Sequence, residues 1–241
     1  MSQPEPPTNH RAPRRLLREI GLVWLGGWRR LRSLLWLILI VTGIGVALIW
    51  LGNDVDKELM EQARLNGNQI ATESASFISD RSDLNFAVPV SLAFWVFGAL
   101  RRRARWRRMG IACIMAALMA GLIVNIFKVA VGRPRPGAEK AYPDSFYGFN
   151  TRSKLRSYPS GHTATSTATG VSLIASAPIV AIPAAIYASS VGWSRLQLRK
   201  HHPIDVVVGG FIGLVCGASF ASTVPGSVIR LKRRKKITAK H

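Results

Sequence analysis

The sequence predicts an all-α protein, a bundle of six membrane-spanning helices whose chemically active residues gather at the external (periplasmic) face. Two observations carry this. Asp, Glu, Lys and Arg are missing from long stretches of the 241-residue chain. The 33 Lys and Arg, against 12 Asp and Glu, crowd mainly into the segments between those stretches. A helix needs about 20 mostly apolar residues to cross a bilayer. Backbone amides in hydrocarbon must bond within their own segment, so such stretches are helices.

In chain order, Ser33–Asn53 is the first charge-free stretch, 21 residues long. It exceeds the roughly 7–15-residue core of a cleaved signal peptide, so it reads as an uncleaved signal-anchor. Leu84–Leu100 (17 residues) and Met109–Phe127 (19 residues) are the second and third spans. The 38 residues Ser157–Ser194 contain one ionisable side chain, His162, and fit two short spans with a reversal near Ser176, Ala177 and Pro178. Val206–Ile229, 24 residues, is the sixth.

A net charge of +21 invites a nucleic-acid reading, because basic patches bind phosphate backbones. The placement of the charge excludes it. Seven Arg lie in residues 1–33, six in the run RRRARWRR (101–108), and seven Lys or Arg in 230–241. Six alternating crossings put those three regions on one side, which the positive-inside rule makes cytoplasmic. The connection 54–83, with Lys57, Arg64 and Arg81 against seven acids, suits the outside. The expected organisation is therefore a basic cytoplasmic arm (1–32), a membrane domain (33–229) and a basic cytoplasmic tail (230–241). Residues 1–13 are Pro-rich and polar and read as disordered. Residues 14–32, with Trp24 and Trp28 among arginines, read as a helix along the cytoplasmic interface. Cys113 and Cys216 fall inside predicted spans and suggest neither a disulfide nor a metal site.

Ten basic residues remain on the external side outside the acidic connection: Lys128, Arg133, Arg135, Lys140, Arg152, Lys154, Arg156, Arg195, Arg199 and Lys200. They run against the positive-inside bias. Two such loops facing each other make a site for an anion, and the planar fork of Arg suits phosphate.

Three stretches carry the chemistry. In NIFKVAVGRPRPG (125–137), Gly132 and two prolines end the third helix after Lys128. Arg133 and Arg135 each precede a proline and are held extended; snorkelling cations at a helix end fit as well. In SYPSGHTATSTATG (157–170), a turn at Pro159–Gly161 runs into a helix start, which offers free N–H groups to an anion. Ser160 adds a hydroxyl, Gly161 lets backbone approach a ligand, and His162 can move a proton near neutral pH. A capping Ser beside a bystander His is the alternative. In SRLQLRKHHPID (194–205), Pro203 suits the first position of the last helix, His202 the cap and Asp205 the third position, as in a capping box. From there Asp205 can accept a bond from the ring of His201 and leave its other nitrogen as a nucleophile. A plain helix-start Asp with two solvated histidines fits too. A metal site at His201, His202 and Asp205 lacks further ligands.

Together the three stretches resemble the type 2 phosphatidic acid phosphatase superfamily, which also contains vanadium haloperoxidases. The pattern K-x6-R-P is read at Lys128, Arg135 and Pro136, P-S-G-H at Pro159–His162, and S-R-x5-H-x3-D at Ser194, Arg195, His201 and Asp205. The resemblance implies a metal-independent lipid phosphatase without cofactor, in the inner membrane of a bacterium. His201 would attack phosphorus and form a phosphohistidine, Asp205 would orient it, and His162 would protonate the leaving oxygen. Lys128, Arg135, Ser160, Gly161 and Arg195 would hold the phosphoryl oxygens. Arg133 and His202 receive no role from the pattern. The implied partner is a phosphorylated lipid in the bilayer; hydrolysis leads, and transfer of the phosphoryl group to an acceptor lipid is the alternative. The particular lipid and the oligomeric state have no signal in the sequence.

Overall fold

The computed structural model describes residues 11–52, 54–65, 68–138, 141 and 145–229. The expectations for residues 1–10, Lys140 and the tail from 230 fall outside these. Among the described residues the secondary structure is entirely helical: α1 (Arg11–Trp50), α2 (Asp54–Leu65), α3 (Gln69–Asp80), α4 (Leu84–Leu100), α5 (Ala104–Val131), α6 (Gly161–Ser176), α7 (Ala181–Gln197) and α8 (Pro203–Ala221). Short 3-10 turns lie at Ser153–Leu155 and Pro178–Val180.

Each of the six predicted spans corresponds to a helix, α1 and α4 to α8. The reversal falls where Ser176, Ala177 and Pro178 place it, between α6 and α7. Among the described residues, four segments are long and apolar enough to cross a membrane: Arg15–Trp50, Ala104–Val131, Pro178–Gln197 and Pro203–Ala221. The pair α3 and α4, bent by 53°, makes a fifth if taken as one span. With 16 residues, α6 reaches only about 24 Å. The protein is a multi-pass membrane protein.

Two elements differ from expectation. No boundary falls near Ser33, since α1 is one unbroken helix of 40 residues. Its first half is tied down: Glu19 accepts from Nε and Nη2 of Arg107 at 2.8 and 2.6 Å, and Nη1 of the same Arg donates to the Gly98 carbonyl. This buried fork joins α1, α4 and α5. The acidic connection 54–83 is not a loop but carries two helices, α2 and α3. Asn68 caps α3 by accepting from the Ala71 amide at 2.7 Å, and Ala75 and Ser79, four apart, form its buried face.

The centre of the bundle is α6 against α8, flanked by α5. Its packing follows from small residues. Gly209, Gly213 and Gly217 recur every fourth residue on α8, and a Cβ on each would lie 2.4, 2.3 and 2.7 Å from the carbonyl oxygens of Ser160, Ala164 and Ala168. Without hydrophobic drive between helices in lipid, close backbone approach is what joins them. The α6 face is built of Ser, Thr, Ala and Gly, and its hydroxyls bond back along the helix, as Thr169 does to the Thr165 carbonyl.

Candidate active site

The carboxyl ends of α5 and α7 and the amino ends of α6 and α8 meet at one end of the bundle. At the end of α5, Gly132 takes the left-handed conformation (φ 67°) and its N–H bonds the Lys128 carbonyl, as a glycine cap does. The chain then runs extended. Arg135 N–H donates to the Lys154 carbonyl and Ser157 N–H to the Arg133 carbonyl, both near 3 Å. This ladder carries the long loop back across the site and delivers Tyr158, whose hydroxyl bonds the Thr42 carbonyl of α1.

The helix start at α8 forms as the residue order predicts. His202 is the cap, Pro203 the first residue, and Asp205 closes a capping box. Oδ2 of Asp205 accepts from the His202 N–H at 2.9 Å and from the Ser157 hydroxyl at 2.5 Å. Oδ1 takes Nη1 of Arg133 at 2.6 Å. The other arm of Arg133 reaches Oδ2 of Asp56 on α2, also at 2.6 Å. Asp56 Oδ1 in turn accepts from the Ile204 N–H. Arg133 is 7% exposed and Asp205 wholly buried. The additional cation thus neutralises the buried carboxylate rather than facing the pocket, and His202 acts as the helix cap.

The ring of His201 departs from the expected bond to Asp205. Its Nδ1 lies 2.7 Å from the Ser157 carbonyl oxygen and 3.7 Å from Asp205 Oδ2. A carbonyl oxygen only accepts, so Nδ1 carries the hydrogen and Nε2 keeps its lone pair. Burial pushes the ring down to about 3, which keeps it neutral. Ser157 therefore couples the two residues, with its hydroxyl on Asp205 and its carbonyl on His201.

A pocket of about 410 Å³ opens beside this framework, lined by Lys128, Gly161, His162, Asp83, Asn125 and Thr165 together with Leu84, Leu118 and Leu122. Leu118 and Leu122 are exposed on the outer surface of α5, so the polar wall adjoins a lipid-facing one. A Cβ on Gly161 would lie 3.4 Å from Lys128 Nζ, which places that cation over the start of α6. Lys128 and Arg195 act electrostatically on both His162 and His201. Arg195 is buried, bonds the Ser79 hydroxyl of α3 through Nη1, and has no partner at Nε. Arg135 is half-buried with Nε on the Ser153 carbonyl. Ser160 differs from expectation: it is wholly buried, its hydroxyl pairs with Thr163 at 2.9 Å, and its N–H bonds the Asp205 carbonyl.

Three further residues belong to the arrangement. Asp83, between α3 and α4, places Oδ2 3.8 Å from His162 Nδ1. Asp56 holds Arg133. Arg156 reaches Asn125 at the pocket with Nη2. Asp56 and Asp83 lie in the acidic connection, where no spacing separates them from five other acids; Arg156 stands among the loop cations with nothing to single it out.

A multi-pass helical bundle that brings two histidines and several cations together at one end defines a class of membrane protein with a candidate anion site. The chain belongs to the PAP2 superfamily, which residues 109–228 match. It is 31% identical over 114 residues to a lipid A 1-phosphatase of Rhizobium johnstonii, an alignment covering 47% of this chain and 45% of that protein. It is 34% identical over 134 residues to a decaprenylphosphoryl-5-phosphoribose phosphatase of Mycobacterium tuberculosis, covering 56% and 69%. The match thus spans less than half the length of the first relative and about two thirds of the second. The fold is similar to that of a transmembrane PAP2 type phosphatidylglycerolphosphate phosphatase from Bacillus subtilis, with TM-score 0.58, 21% identity, and 86% and 99% of the two chains covered.

Proposed function

We propose that the protein is a membrane phosphatase that hydrolyses a lipid phosphate or diphosphate monoester through a phosphohistidine, without metal. The observation that carries this is His201, neutral, with Nδ1–H committed to the Ser157 carbonyl and Nε2 left as a nucleophile beside Lys128 and Arg195. Attack by Nε2 forms the N–P bond as the ester P–O bond breaks. His162 gives its proton to the departing oxygen, then takes one from the water that cleaves the intermediate. Lys128, Arg135, Arg195 and the Gly161 backbone bear on the phosphoryl oxygens, where phosphoryl transfer needs positioned positive charge. Leu84, Leu118 and Leu122 on the same pocket favour a substrate with a lipid tail.

Hydrolysis is preferred to transfer, since the relatives with which the chain aligns are named as phosphatases. The charge distribution supports six crossings with both termini cytoplasmic and the site outside, in a bacterial inner membrane. Arg107 and Lys128 mark the two ends of α5, about 30 Å apart, so the basic run 101–108 and the site lie at opposite ends of the bundle.

The test is phosphate release by the purified protein from phosphatidic acid, phosphatidylglycerophosphate, undecaprenyl diphosphate and lipid A, in the presence of a chelator. Release is expected from at least one, and its loss in His201→Ala and in His162→Ala. Full activity in His201→Ala, or an absolute need for a divalent ion, overturns the mechanism. A new phospholipid in place of free phosphate selects transfer.

A further inference from the structure

Asp83 has the residue type that caps helices, and it stands at the cap position of α4, yet its side chain makes no cap bond. An Asp there ordinarily turns its carboxylate onto the free N–H groups of the first turn. Here the backbone of Asp83 adopts φ 62° and ψ −135°, a region that residues with a side chain seldom enter. The carboxylate is carried away from its own helix instead. Oδ2 lies 3.8 Å from His162 Nδ1, and Oδ1 is buried without a partner. The turn is held from outside, because Phe86 stacks on Tyr187 of α7 with ring centroids 3.8 Å apart. A strained backbone, a declined cap and a carboxylate on the second histidine occur at one residue.

We propose that Asp83 is the positioning residue of His162, holding Nδ1–H so that Nε2 presents the proton needed by the leaving oxygen. This rests on the phosphatase reading above. The groups facing His162 explain why a carboxylate is required. Lys128 from α5, Arg135 from the following loop and Arg195 from α7 bear on His162, and Asp83 is the carboxylate set against them. In the step itself, the Nε2 proton of His162 passes to the ester oxygen as that oxygen leaves phosphorus and His201 Nε2 bonds to it.

The experiment compares two esters of matched chain length, a dialkylglycerol phosphate and an alkylated nitrophenyl phosphate, in wild type, Asp83→Asn, Asp83→Glu and His162→Ala. An aryl oxide leaves without a proton, whereas an alkoxide does not. Asp83→Asn is expected to slow kcat on the alkyl ester by about tenfold to a hundredfold and on the aryl ester by less than about threefold, since general-acid catalysis contributes roughly 10²–10⁴. Asp83→Glu recovers part of the alkyl rate, and His162→Ala shows the same selectivity more strongly. Equal losses on both esters in Asp83→Asn indicate a merely structural role and overturn the proposal, as does no loss on either. If His162→Ala itself fails to discriminate, or wild type cleaves neither ester, the acid role of His162 falls and this inference falls with it.

Discussion

The backbone carbonyl of Ser157 accepts a hydrogen bond from Nδ1 of His201 at 2.7 Å. The same serine's hydroxyl donates to Asp205 at 2.5 Å. The acid and the histidine are therefore joined through one residue of another loop. An oxygen that cannot donate selects the tautomer, and a buried carboxylate holds that oxygen's residue in place.

Ser157→Ala follows directly from this arrangement. The substitution removes the hydroxyl bond to Asp205 and keeps the carbonyl on His201. A hydrogen bond to a charged group contributes about 1.5–3 kcal/mol, so kcat should fall by roughly tenfold to a hundredfold without vanishing. Steady-state phosphate release measures it. A loss as complete as that of His201→Ala shows that the carbonyl does not hold the ring.

Arg133 sits between Asp56 and Asp205 at 2.6 Å from each. Replacing it by Gln leaves two buried carboxylates without their cation, and breaking such a pair costs about 3–5 kcal/mol. Arg133→Gln should lower the thermal midpoint by several degrees and abolish turnover. Arg133→Lys keeps the charge but not the two-armed fork, and should recover only part of both. Unchanged stability and activity in Arg133→Gln exclude the bridging role.

Burial takes His201 from its ordinary 6.5 down to about 3. Between those values the unfolded chain binds a proton that the folded protein does not. Stability therefore rises with pH across that window. The contribution is complete above about 6.5 and is lost as the pH falls toward 3. Thermal midpoints across this range should climb less steeply in His201→Gln than in wild type, and parallel curves would show that the ring is not buried neutral.

Gly209 faces the backbone of Ser160, where an added Cβ would stand 2.4 Å from the carbonyl oxygen. Overpacking of this kind costs about 1–3 kcal/mol, more than the gain in helix propensity from Ala. Gly209→Ala should reduce both the thermal midpoint and phosphate release, because Ser160 also ties the start of α6 to Asp205. Gly43, with nothing within 4 Å of its added Cβ, is the control and should tolerate Ala in both assays.

The residues now near the pocket differ in how readable they were. Lys128, Gly161 and His162, each singled out by its stretch, line it. The cap, proline and carboxylate of His202, Pro203 and Asp205 formed the helix start that their order implies, because capping acts over four residues. Ser160 was readable as a cap position but not in the direction of its hydroxyl, since Thr163 competes for it one turn on. Asp56 and Asp83 were invisible among the acids of 54–83. Their partners, Arg133 and His162, lie 77 and 79 positions further along, and no local rule spans that distance.

Charge-free length, the side on which arginines collect and the start and stop signals of helices are properties of neighbouring residues. They made the helical membrane architecture and the three candidate stretches legible from the chain alone. Which cation neutralises which acid, which oxygen sets the tautomer of His201, and whether a serine faces a pocket or a neighbour depend on helices meeting far apart in sequence. Those choices were made by packing: glycines on α8 bring α6 to backbone contact, and the ladder along 133–157 lays Ser157 between His201 and Asp205.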